Sequence, residues 1–176
     1  VLLNDQFDVW EVQPDGKNAR LVTGGEGRRT NTVFRYRSLD PEERVVPAKG
    51  PLYFSATDEQ TRATGFYRKA SLAASTPPEK VVMLDKAFGQ LIKAKNADTV
   101  AFTLSRFDEF PDLWLSDLTF KDMKKVSDAN PQQASIKWGT SEIIEYINAD
   151  GKKLRAILTK PEDFDPKKQY PLMVYI

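Results

Sequence analysis

Three short strands recur along the sequence, each centred on an aromatic residue and each followed by a polar turn and a second short strand. They are Val9-Trp10-Glu11-Val12, Phe66-Tyr67-Arg68-Lys69 and Leu113-Trp114-Leu115-Ser116. Their partners are Ala19-Arg20-Leu21-Val22-Thr23, Lys80-Val81-Val82-Met83-Leu84 and Lys124-Lys125-Val126-Ser127. The repeat is roughly 45–55 residues with insertions, close to the range of propeller blades. A four-stranded unit of that size cannot bury both faces alone, so it has to stack against neighbours.

The strands between these pairs follow the same rule of short apolar runs bounded by turn residues. Residues 7–13 are rich in β-branched and aromatic side chains and stop at Pro14-Asp15-Gly16, a hairpin signal before the partner strand at 19–23. Further strands are expected over 33–38, 52–55, 64–68, 80–84, 90–94, 99–105, 113–117 and 125–127. Val100, Phe102 and Leu104 alternate with Ala101, Thr103 and Ser105, the period-2 pattern of a strand with two different faces. No long amphipathic helix is expected before residue 130. A helix over 85–95 would carry Gly89 in its middle, so a strand fits better there. Four strands are expected in the second and third units and only the last two in the first.

The fold class these features predict is mainly β: a partial β-propeller of four-stranded antiparallel blades. A β-sandwich also places strands at regular spacing and stands as the alternative. A WD40 propeller is disfavoured, because its Gly-His signature needs histidine and no Trp-Asp dipeptide occurs.

After Asn130-Pro131 the pattern changes. Glu142-Ile143-Ile144-Glu145-Tyr146-Ile147, a turn at Asn148-Ala149-Asp150-Gly151 and Lys153-Leu154-Arg155-Ala156-Ile157-Leu158-Thr159-Lys160 read as a hairpin. A charged, proline-bounded loop covers 161–168. Tyr170-Pro171-Leu172-Met173-Val174-Tyr175-Ile176 then reads as a strand buried on both faces. The division is placed at 1–133 for the blades and 134–176 for the second domain.

The segment from Glu142 through Asp150-Gly151, Pro161, Phe164-Asp165 and Lys168 to Tyr170-Pro171-Leu172-Met173-Val174 resembles the start of the catalytic domain of the prolyl oligopeptidase family of serine peptidases. That family includes dipeptidyl-peptidase-IV-like and acylaminoacyl-peptidase-like members. Asp8-Val9-Trp10 and Asp112-Leu113-Trp114-Leu115-Ser116-Asp117 resemble the penultimate strands of its propeller blades. The resemblance implies that 134–176 is the first part of an α/β-hydrolase domain. It also implies a parent enzyme that hydrolyses peptides through an acyl-enzyme, with the propeller gating substrate access. Its partners would be peptide substrates and the remainder of the parent chain.

The composition bears on that chemistry. The 176 residues contain no histidine and no cysteine. A Ser-His-Asp triad, a thiolate zinc site and a disulfide cannot be assembled from them. No catalytic, cofactor-binding or metal-ligating residue is assigned, and no cofactor is implied. Gly139-Thr140-Ser141-Glu142 fails as a nucleophile elbow, and no Ser-x-x-Lys occurs. Gly24-Gly25-Glu26-Gly27-Arg28-Arg29 has phosphate-loop composition, but no helix pattern follows, so a turn is expected. Asp108, Glu109, Asp112 and Asp117 lack the spacing and glycine of a calcium loop. Glu42-Glu43 and Asp108-Glu109 read as solvated pairs. Trp10, Tyr67 and Trp114 read as packing residues between blades rather than a binding platform.

Basic and acidic residues nearly cancel, for a formal charge of +1. Arg28-Arg29 and Lys124-Lys125 are too short to form a nucleic-acid footprint. No apolar run reaches the ~20 residues of a membrane span. Cytosol and periplasm suit the chain equally. Both ends read as cuts, so the chain is expected to be a fragment of a larger enzyme. It would then be ordered only with the rest of its parent, or by self-association through open sheet edges. The alternative from a different class is a stand-alone propeller-type binding or scaffold module.

Overall fold

In a computed structural model, which describes residues 1–175, the chain is mainly β, with several antiparallel sheets and none closed. The first sheet holds β1 (Leu2–Asn4), β2 (Val9–Glu11) and β3 (Arg20–Leu21) in that order. A single helical turn, α1 (Glu26–Thr30), leads into the second sheet: β4 (Thr32–Arg37), β5 (Leu52–Asp58), β6 (Thr64–Lys69) and β7 (Glu79–Leu84), again in chain order. The third sheet comprises β8 (Ala87–Phe88), β9 (Ile92–Lys93), β10 (Thr99–Arg106), β11 (Glu109–Asp117) and β12 (Lys124–Lys125). Its order is β12-β11-β10-β8, with β9 also paired to β10. A 3-10 turn at Pro131–Ser135 precedes the last sheet, the hairpin of β13 (Thr140–Ile147) and β14 (Lys153–Lys160). The chain falls into two compact units: residues 1–106 with 110–129, and residues 107–109 with 130–176.

The register of the second sheet explains the core of the first unit. Directly paired residues of antiparallel strands share a face. Phe34, Phe54 and Tyr67 therefore share one face with Tyr36, Leu52, Ala56 and Met83. That face packs with Val9 and Val22 of the first sheet region into one apolar cluster. On the opposite face, Phe66, Val82 and Leu84 join Phe88, Val100, Phe102, Leu104 and Phe120 in a second cluster. The period-2 alternation of β10 places Val100, Phe102 and Leu104 inside, almost wholly buried. Phe120 turns its chain with a positive φ of 55° to bring its ring 5.3 Å from both Phe66 and Phe102. The second sheet is thus buried on both faces, and each buried aromatic contributes roughly 2–3 kcal/mol of apolar transfer.

Several expectations from the sequence need correction. The first group has three strands rather than two, because Leu2–Asn4 pairs with Val9–Glu11. The expected strand over 90–94 shrinks to β9, and an unexpected short strand, β8, precedes it, with Gly89, Gln90 and Leu91 between them. A Cβ on Gly89 would meet Thr103 Oγ1 at 2.0 Å, so a larger residue there would require the Thr103 side chain to move. Gly24-Gly25 is followed by a helix after all, although it is only five residues long. Both glycines have positive φ, 67° and 78°, which lets the chain turn sharply into it.

In the second unit, β13 and β14 pair over eight residues from Thr140↔Lys160 to Ile147↔Lys153. The Asp-Gly turn is closed by Asn148, whose Oδ1 accepts from the amides of Asp150 and Lys152. Gly151 supplies the positive φ of 75°. The Trp138 indole donates to the Gln133 carbonyl at 3.1 Å, and Phe107 meets the Trp138 ring edge-on at 5.8 Å. The loop after β14 is held by Phe164 stacked on Tyr170 and by the Asp165 amide donating to Tyr170 Oη. Of the strand expected over 170–176, Ile176 lies outside the described residues, and 170–175 carries no strand. A β-strand exists only through its partner. This apolar run has none among the described residues, and Leu172, Met173 and Val174 stay exposed.

Candidate functional site

Two carboxylates with the same local surroundings organise the first and third sheets. Asp8, immediately before β2, accepts from Thr23 Oγ1, fifteen residues downstream, at 2.6 Å. Asp112, on β11, accepts from Ser127 Oγ, also fifteen residues downstream, at 2.6 Å. The hydroxyls in turn accept from the following amides, Val9 N–H to Thr23 and Leu113 N–H to Ser127. Each aspartate then closes the segment after its last strand. Asp8 accepts from the Gly27 and Arg28 amides at 3.0 Å, and Asp112 from the Ala129 amide at 2.8 Å. The helix N-terminus that a phosphate loop would offer to a ligand is therefore occupied by the chain's own carboxylate. In the second sheet, Gly65 precedes the core aromatic Tyr67 as Asp8 precedes Trp10. A Cβ there would lie 2.0 Å from the Val82 carbonyl, at the bulge between Phe66 and Tyr67, so no aspartate fits.

Beside Asp8, Asp5 is a second acceptor hub. It takes the amides of Phe7 and Asp8 at 2.7 and 2.6 Å, the Trp10 indole N–H at 3.0 Å and the Arg28 guanidinium at 3.4 Å. Burial works to raise its pKa, but the Asp8 amide, the Trp10 indole, the Phe7 amide and Arg28 together lower it to about 2. Asp112 is lowered to about 2, first by the hydrogen bond from Lys125, then by Ser127 and the Ala129 amide. Both folded-state values lie below the ordinary 3.8. The folded state therefore prefers the ionised forms. This stabilisation is complete above about pH 4 and drains away as the pH falls towards 2. We expect urea midpoints of the chain to be flat between about pH 5 and 7 and to drop steeply below about pH 4. A double variant Asp5→Asn/Asp112→Asn should show a shallower drop; an unchanged slope would remove these two groups as the cause.

A further opening follows from the polarity of the second sheet. On the face turned to the third sheet, β6 and β7 present Phe66, Val82 and Leu84. β4 and β5 present Val33, Arg35, Arg37, Tyr53, Ser55 and Thr57 instead. Polar side chains at that end cannot fill an apolar interface. A cleft of about 560 Å³ is left between this end and the β8–β9 break. Its floor is Phe66, Phe88 and Leu91, and its rim is Arg37, Ser38, Ser55, Thr57, Thr64 and Gln90. Thr64 Oγ1 is already engaged, donating to the Lys86 carbonyl and accepting from the Phe88 amide. Arg37 donates through Nε to Ser55 Oγ at 3.1 Å, and its terminal Nη groups have no partner among the described residues. The adjacent Arg35 is tied to the carbonyls of Phe34 and Gln6.

Other residues singled out in the sequence have structural partners. Glu43 accepts from Tyr36 Oη and Ser38 Oγ. Burial, and then Glu43, push the Tyr36 phenol up to about 12. Glu42 pairs with Lys95 at 3.7 Å. Asp117 accepts from the Thr119 amide and hydroxyl, and Lys125 bridges Asp112 and Asp128. Tyr67 and Trp114 pack against the two apolar clusters, and Trp10 donates to Asp5. Sequence reasoning did not single out Arg37, Ser55 or Gln90. The signal lay in β4, where Val33, Arg35 and Arg37 alternate with Phe34 and Tyr36: one face aromatic, the other cationic.

No helix among the described residues is long and apolar enough to cross a membrane. No protein-family model matches the chain, and no curated protein matches it. Among solved structures, it is similar to a serine-to-alanine variant of the AtxE2 isopeptidase with Astexin3-dC4 bound, at 16% identity and a TM-score of 0.53. The likeness covers 93% of this chain, which spans 31% of the isopeptidase chain. At that identity the likeness is one of fold.

Proposed function

We propose that the chain is the non-catalytic part of a serine peptidase of the prolyl oligopeptidase type: late blades of a β-propeller running into the first strands of an α/β-hydrolase domain. The observation that carries this reading is the fold likeness to an isopeptidase over nearly the whole chain. The second sheet supports it, since it is buried on both faces as a blade between two blades is and as a sheet of a two-layer sandwich is not. The recurring aspartate–hydroxyl pair, fifteen residues apart in the first and third sheets, supports a repeat. In this reading the blades enclose the chamber and filter peptides. The serine, aspartate and histidine come from the rest of the parent, because the 176 residues hold no histidine to act as base.

The test is labelling with a fluorophosphonate serine probe, applied to the longest natural protein containing this sequence and to the 176-residue chain beside it. The parent should label and the chain should not. A folded parent that stays unlabelled would move the reading to a propeller-type binding module without hydrolase activity.

A further inference from the structure

The cleft at the polar end of the second sheet has a composition that selects its ligand. Its size falls in the ~300–1,000 Å³ range of small-molecule and peptide-terminus sites. Phe66, Phe88 and Leu91 give it an apolar wall. Its rim carries hydroxyls, the Gln90 amide and one cation, and no carboxylate lines it. Glu43, which accepts from the rim residue Ser38, is also held by Tyr36. Arg37 is anchored on one side by its Nε bond to Ser55, and the Nη end of the guanidinium has no partner among the described residues. A guanidinium fixed on one edge and free at the other is set up to take a carboxylate through two parallel hydrogen bonds. The Gly89–Leu91 break in the neighbouring edge strand opens the other wall. Gly89 N–H stays bonded to the Thr103 carbonyl at 2.9 Å, while Gln90 stays exposed.

We propose that this cleft binds the carboxylate end of a peptide with an apolar last side chain, Arg37 receiving the carboxylate and Phe66, Phe88 and Leu91 the side chain. This proposal concerns binding alone and stands whether or not the parent is a hydrolase. The probe is N-acetyl-L-phenylalanine, compared with its amide, titrated by calorimetry into the longest natural protein containing the chain. The acid should bind roughly tenfold or more tightly than the amide, the loss of one charge-assisted, bidentate contact. Arg37→Gln should abolish that difference and Arg37→Lys should restore part of it, because lysine keeps the charge without the fork. Fluorophosphonate labelling should be the same in all three proteins, which separates this site from any catalytic serine. Equal binding of acid and amide, no binding of either, or an acid preference that survives Arg37→Gln would each overturn the proposal.

Discussion

Replacing Phe102 by alanine should destabilise the chain by about 4 kcal/mol, the upper part of the range for a large side chain removed from a close-packed core. Phe102 is 1% exposed, and its ring lies 5.3 Å from both Phe88 and Phe120. Those two rings also touch Phe66 of the second sheet, so the cavity would open where two sheets meet. The neighbours cannot close over it cheaply. Phe120 is fixed in a left-handed turn, and Phe88 is held by the bond from its amide to Thr64 Oγ1. Phe102→Leu should cost about 1–2 kcal/mol, because most of the volume is kept. Urea unfolding followed by tryptophan fluorescence reads both. A lower midpoint at unchanged slope is expected. A Phe102→Ala cost no greater than that of Phe102→Leu would mean that this cluster is not a packed core.

Asp8→Ala should cost about 3 kcal/mol for a different reason: it strands donors rather than leaving a void. Asp8 is 1% exposed and accepts from Thr23 Oγ1, Gly27 N–H and Arg28 N–H together. Removing the carboxylate leaves a buried hydroxyl and a buried amide with no acceptor. Asp8→Asn should cost less, since one oxygen still accepts. A double-mutant cycle with Thr23→Val isolates the shared bond, and its two changes should be clearly non-additive. Additive effects would mean that the aspartate acts only on α1. The same exchange at Asp112 should be milder, since its partners Lys125 and Ser127 are nearer solvent.

Much of the β-architecture was legible in the sequence, because local patterns encode it directly. Alternation in Val100–Leu104 specifies which side chains of β10 are inside, and Asp150-Gly151 specifies the β13–β14 turn. Both depend on side-chain direction and backbone preference within a few residues. The recurrence of Asp8-Val9-Trp10 and Asp112-Leu113-Trp114 was also visible, although its cause was not. The hydroxyl that each aspartate holds lies fifteen residues away, on another strand.

Local residue patterns specify the menu of short strands and the turns that end them, and the composition leaves out histidine-based chemistry. Which strands share a sheet, that β1 joins the first one, that β8 and β9 are separated around Gln90 and that Gly25 starts a helical turn emerge from long-range packing alone. It alone brought Arg37 and Ser55, from two strands of one sheet, opposite Gln90, in the gap between two strands of the next. The physical reason is that strand pairing and sheet stacking are non-local. A strand's own residues set its two faces, but the partner that covers each face is supplied by distant chain. A cleft arises where polar residues on one sheet leave that partner nothing to pack against.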